Sequence, residues 1–252
     1  MSTWLFVGPT LAPGGAPAAD GIVVRPPVAA GDIYAAVLDG ASRLAIVDGF
    51  WGDRPTVRHK EILWAMRQGV PVLGAASMGA LRAAELAPFG MIGVGEIFRR
   101  YAAGELTRDA DVAIAHAPAA LGWQPLSIAV VDVEARVRRA IAAAGGPLDD
   151  GRVATWIETA RAIPLRDRTE AAVVDRWRRL DAADRPPAAL TAAVADDTFS
   201  LKRADAERLV AELAAPSPCP ATPAVPADGF HARALEEAER ARRASGGKAG
   251  GA

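Results

Sequence analysis

The sequence predicts an α/β fold: an open, mostly parallel sheet with flanking helices, Rossmann-like or flavodoxin-like, followed by an all-helical C-terminal part. Three observations predict it. Leu44-Ala45-Ile46-Val47 and the run from Pro71 to Ala76 are short and apolar, as strands covered on both faces require. A helical pattern from about Thr56 to Gln68 joins them, so the segment reads strand, helix, strand. Beyond Leu148 no strand pattern survives, and helical stretches follow one another to Leu213.

In chain order, Trp4-Leu5-Phe6-Val7 is the first strand, ended by Gly8-Pro9-Thr10. Gly, Ala and Pro make Leu11 to Gly21 a loop, and Ile22-Val23-Val24 is a short strand stopped by Pro26-Pro27. Gly31-Asp32 opens a helix that carries Ile33, Val37 and Leu38 on one face. The central strand, helix and strand come next. Ser77 to Ala87 is a helix with a small-residue face, and Gly93 to Ala103 reads as another. Val112-Ala113-Ile114-Ala115-His116 is a candidate strand, and Leu126 to Ala144 a longer helix. Helical stretches at 150–162, 168–180, 187–195 and 200–214 complete the ordered part, separated at Pro164 and Pro186-Pro187. Pro216 to Asp228 reads as an extended linker, Phe230 to Ser245 as a charged helix formed on docking, and Gly246 to Ala252 as disordered. The expected division is an α/β core over 1–147, a helical region over 148–215 and a tail over 216–252.

Of the 252 residues 51% are hydrophobic, enough for one substantial domain with an appendage. A net charge of −1 points to neither nucleic acid nor a membrane surface. The one cysteine, Cys219, lies between prolines, so no disulfide framework forms within one chain, and a reducing, cytoplasmic setting is expected. Lysine occurs only at 60, 202 and 248 in a chain that otherwise uses arginine, which draws attention to Lys60.

The chemistry gathers where the parallel strands end, because open α/β sheets bind ligands at that edge. Asp48 ends one strand and Ser77 the other. Ala75-Ala76-Ser77-Met78-Gly79 resembles a nucleophile elbow with Ala in place of the first Gly. The alternative is that Ser77 only caps its helix. His59, at i−3 and i−4 from Ile62 and Leu63, is expected to face inward near Asp48 and Ser77, neutral beside the helix N-terminus and able to act as a base. The alternative is a histidine finishing an apolar stripe. Asp48 either orients His59 or forms an Asp-Gly turn. Lys60 and Glu61 flank the same turn: Lys60 suits an anion, and the pair can equally be solvated. Arg82 and Glu85 are spaced as an ion pair, with Arg82 one turn after Ser77.

Asp109, Asp111 and His116 carry metal-ligand types at no standard spacing, so no metal is assigned. Gly90-Met-Ile-Gly93-Val-Gly95 has the wrong spacing for a dinucleotide loop. No cysteine lies near the rim, and no cofactor is implied.

The run Ile46-Val47-Asp48-Gly49-Phe50, then Val57-Arg58-His59-Lys60-Glu61-Ile62-Leu63, then Gly74-Ala75-Ala76-Ser77-Met78-Gly79-Ala80-Leu81-Arg82-Ala83-Ala84-Glu85-Leu86 resembles the TfuA-like core. Gly8-Pro9, Gly31-Asp32-Ile33-Tyr34 and Phe89-Gly90-Met91 also match, from about Phe6 to Leu148. The resemblance implies a partner of YcaO-type cyclodehydratases in peptide backbone thioamidation. Its implied role is to release sulfide from a thiocarboxylated ubiquitin-like sulfur carrier. That reaction is acyl transfer to water and needs a nucleophile or activated water, a base and oxyanion donors. The catalytic set read at the rim is Ser77, His59, Asp48 and Lys60. The substrate-binding set is Arg82, Glu61, Glu85, Gly8, Met78, Gly79 and His116. The competing reading is a non-catalytic module that allosterically activates a cyclodehydratase.

Overall fold

The computed structural model describes residues 2–11, 20–52, 54–146, 149–214 and 240. Cys219 and the linker and tail expected after Pro216 fall outside these residues, except for position 240.

Five parallel strands form one sheet in the order β2-β1-β3-β4-β5, with β1 Thr3–Phe6, β2 Ile22–Arg25, β3 Arg43–Ile46, β4 Val72–Ala75 and β5 Ile92–Val94. Leu5 stands opposite both Val24 and Ala45, and Ala75 opposite Val94. Strand order reverses between β1 and β3, so the switch point of the sheet lies at their carboxyl ends.

Alternation along the strands feeds two cores. Trp4, Phe6, Leu44, Ile46 and Val72 face helices α1 (Asp32–Leu38), α2 (His59–Arg67) and α3 (Met78–Leu86). Leu5, Val7, Ala45, Val47, Leu73 and Ala75 face the opposite way, onto Ala206, Leu209 and Leu213 of α9 (Leu201–Ala214). The last described helix, which the sequence groups with the helical region, therefore covers the second face of the sheet. Asp205 of α9 accepts the backbone N–H groups of Glu96 and Ile97 at 2.8 and 2.7 Å, capping α4 (Glu96–Ala102) from outside. Arg43 donates from Nη2 to the Leu213 carbonyl at the other end of α9.

Helices α5 (Val130–Ala143), α6 (Asp150–Arg161), α7 (Glu170–Arg178) and α8 (Ala188–Ala195) build a separate core around Trp156, Val173 and Trp177. Buried Arg136 of α5 donates to the carbonyl of Val194 at the C-terminal end of α8 and to that of Phe199 in the segment before α9. Asp132 of α5 accepts the Ser200 hydroxyl and the Lys202 N–H, each at 3.1 Å, which fixes where α9 begins.

Two elements differ from the sequence reading. Ile92–Val94 is a strand, not the start of a helix. It is only three residues long and holds Gly93, whose Cβ position is taken by the Phe98 ring at 2.1 Å. Val112 to His116 is not a strand of the sheet. A 3₁₀ turn over Asp109–Asp111 leads into a loop whose only strand-like contact among the described residues is a single bridge from His116 to Pro125.

Candidate functional site

The tightness of the α3 entry comes from glycine. A Cβ on Gly79 would stand 1.8 Å from the Ile46 carbonyl oxygen, and one on Gly74 would stand 2.1 Å from the Gly79 oxygen. Gly79 N–H also donates to the Val47 carbonyl at 3.1 Å. The first turn of α3 thus lies directly on β3 and β4. To reach it the chain turns at Ala76, whose φ of 65° is left-handed, a conformation that favours glycine and strains alanine by about 1–2 kcal/mol. The strain sits one residue before the serine.

Ser77 follows this turn and is 4% exposed. Its side chain makes no cap hydrogen bond to its own helix, so the simple capping alternative fails. Its hydroxyl instead reaches the Val112 carbonyl at 3.5 Å, the outer limit of a hydrogen bond.

Asp48, at the end of β3, is buried and organises the loop after β1. Its Oδ2 accepts the N–H groups of Gly8 and Thr10 at 2.9 and 3.0 Å, and its Oδ1 the Thr10 hydroxyl at 2.6 Å. This is a carboxylate filled by charge-assisted hydrogen bonds at the switch point. It orients the loop through Gly8 and Thr10, while His59 pairs elsewhere, with Glu85.

A cavity of about 470 Å³ opens at this edge, lined by Pro9, Asp48, Gly49, Phe50, Trp51, Ser77, Ile114, His116, Arg166 and Lys202 among others. His116 donates from Nδ1 to the Ala117 carbonyl at 2.9 Å. Its ring centroid is 5.4 Å from Trp123 and 6.3 Å from Phe50. Among the described residues the buried indole N–H of Trp51 has no hydrogen-bond partner.

Lys202 enters from the first turn of α9 and is 3% exposed. Its Nζ donates to the same Val112 carbonyl at 2.8 Å. Burial holds its pKa below the ordinary lysine range, opposed by the charges of Asp48 and Asp132. A second cavity of about 330 Å³ shares Lys202, Pro9 and Ile114 with the first. Sequence reasoning missed Lys202, although the rarity of lysine that singled out Lys60 applies equally to it.

His59 is not brought to this cavity. It is exposed, and its Nε2 pairs with Glu85 Oε2 at 2.7 Å, while Arg82 Nη1 pairs with the same oxygen at 2.6 Å. The reason lies in the helix face. The buried residues of α2 are Glu61, Ile62, Ala65 and Met66, and His59 sits about a quarter turn from the centre of that stripe. It therefore leans toward α3 and meets it at Glu85, roughly 12 Å of helix beyond Ser77. Lys60 is exposed on the same helix.

Glu61 is not a solvated partner of Lys60. It is fully buried, accepting the Gly31 N–H at 2.7 Å and the Arg58 N–H at 3.3 Å. Burial pushes its pKa up to about 7. Met78 is also buried, with its Cγ 2.7 Å from where a Cβ on Gly49 would stand. Gly79, Met78 and Glu61 thus build the scaffold, Gly8 the loop held by Asp48, and His116 the cavity wall. Asp111 is taken by Arg161, whose Nε and Nη2 reach its two oxygens at 2.8 and 2.9 Å.

Residues 48–169 match the model of a family described as TfuA-like protein. Over that stretch the chain is a TfuA-like protein. At family level this places it in the setting of YcaO-associated peptide modification. The match begins later than Phe6 and continues past Leu148 through α6 to Thr169. It takes in Asp48, Trp51, Ser77, His116 and Arg166 but not Pro9 or Lys202, so residues of the matched stretch meet residues from before and after it in one cavity. No curated protein matches the sequence at a significant level.

Proposed function

We propose that this TfuA-like protein supplies sulfur for YcaO-dependent backbone thioamidation by hydrolysing the thiocarboxylate of a ubiquitin-like carrier. The observation that carries the reading is the Ser77 hydroxyl. It is buried, free of any capping role, and set in a cavity at the switch point of the sheet.

Ser77 attacks the thiocarboxylate carbonyl carbon, hydrosulfide leaves, and water releases the carrier from the serine ester. The Trp51 indole N–H supplies a donor for charge developing on the acyl oxygen, and Arg166 a cation for the anionic end of the substrate. Asp48 holds the Gly8 to Thr10 loop that forms one wall. His59, Glu85, Arg82 and Lys60 lie on the α2 and α3 surface and have no part in the acyl step.

The test is sulfide release from a thiocarboxylated carrier by the purified chain, with and without its YcaO partner. Release that tracks the chain's concentration is expected, faster in the complex. If the partner turns over with added sulfide only when this chain is present, while the chain releases none from the carrier, the non-catalytic activator is the correct description.

A further inference from the structure

We propose that Lys202 is the proton acceptor for Ser77, forming a serine–lysine pair whose base comes from outside the TfuA-like stretch. This rests on the acyl-transfer reading above and names the catalytic partner it leaves open.

The geometry carries it. Ser77 Oγ and Lys202 Nζ are bound to one carbonyl oxygen, that of Val112, at 3.5 and 2.8 Å. Both side chains are buried and both line the same cavity. The serine is held weakly enough to swing, as nucleophiles in unliganded sites often are. A lysine acts as a base only when it can lose its proton, and removal from water favours that form. The groups facing it are Asp132 from α5 and Asp48 from the end of β3, with His116 and Arg166 on the cavity wall. The two carboxylates keep its proton affinity from collapsing, so the amine can both accept and return a proton.

The step balances. Neutral Nζ takes the Oγ proton as Oγ bonds to the carbonyl carbon. The resulting ammonium passes that proton to sulfur as the carbon–sulfur bond breaks, giving hydrosulfide and an ester on Ser77. Nζ then takes a proton from water, whose oxygen attacks the ester, and returns it to Oγ. The products are the carrier carboxylate, hydrosulfide and one proton.

The decisive variants are Lys202→Arg and Lys202→Met in the full chain, assayed with the YcaO partner. Arginine keeps the charge and a donor for the Val112 carbonyl but stays protonated. Methionine removes the charge without a large change in volume, a swap that buried sites tolerate. Both are expected to lower kcat about 10²–10⁴-fold, the usual contribution of a general base. The Lys202→Ala variant should regain part of the rate with added methylamine, a rescue that a structural role would not give. A fluorophosphonate probe gives a readout independent of the carrier: it should modify Ser77 in the wild type and at least tenfold more slowly in Lys202→Met. Near-wild-type turnover by Lys202→Arg overturns the assignment. Lys202-dependent labelling without sulfide release leaves the pair standing and removes the carrier as substrate. Absence of both labelling and release removes the pair as well.

Discussion

Glu61→Gln is the perturbation whose outcome the structure fixes most closely. Glu61 is buried between the start of α1 and the start of α2 and holds an N–H of each. Its pKa rises from 4.5 to about 7, first because burial disfavours the charged form, and partly because Asp32 is close by. The folded protein therefore binds more protons than the unfolded chain between these values. Stability from this group is fully present below about pH 4.5 and is lost as pH rises through 7. At about 1.4 kcal/mol per pH unit the loss amounts to roughly 3 kcal/mol. Glutamine keeps the shape and cannot ionise. It leaves one of the two N–H groups without an acceptor, a constant cost of about 1–3 kcal/mol. Urea unfolding of both proteins from pH 4.5 to 8 isolates the group, since the other titrations are common to both apart from the Asp32 coupling. The wild type should lose roughly 3 kcal/mol relative to the variant across this range. A difference flat to within about 0.5 kcal/mol, or one of opposite slope, would refute the placement of Glu61 as a buried, neutralised acid.

Three further outcomes follow from the packing and the site. Gly79→Ala forces a methyl group onto the Ile46 carbonyl, so it should destabilise by about 3 kcal/mol or more, or fail to fold; a melting temperature within 2 °C of wild type, a margin of about 1 kcal/mol, would contradict the close α3 contact. Arg161→Met strands the buried Asp111 carboxylate and should cost about 3 kcal/mol, lowering the melting temperature by roughly 6–12 °C; an unchanged melting curve would show that the pair does not hold α6 to the 3₁₀ turn that carries Asp111. His59→Ala should leave sulfide release within about threefold of wild type, since the imidazole is exposed and paired with Glu85; a hundredfold loss would return it to the chemistry.

Much of the framework was legible. The apolar runs ending at Asp48 and Ser77 located two parallel strands, and the rule that ligands sit at the carboxyl edge located the cavity. What stayed hidden depends on distance along the chain. Nothing local to residues 201–214 says that they cover the second face of the sheet, because their partners, Leu5, Ala45 and Leu73, are over a hundred residues away. Lys202 was hidden for the same reason. Aliphatic periodicity alone puts His59 on the buried face of α2, and the structure does not. Buried Glu61 shifts the centre of that face, and a fully buried glutamate is not a pattern that hydrophobic periodicity can find. Ile92–Val94 was too short, and too interrupted by Gly93, to read as a strand.

The measurement that bears most directly on the central claim is a rapid-quench reaction of the chain and the proposed YcaO partner with thiocarboxylated carrier, followed by intact-mass and peptide analysis. The account predicts a carrier ester on Ser77 in the wild type and none in Ser77→Ala, which should also lose sulfide release about 10³-fold or more. Undiminished sulfide release by a correctly folded Ser77→Ala protein, or an adduct on any other side chain, would contradict it.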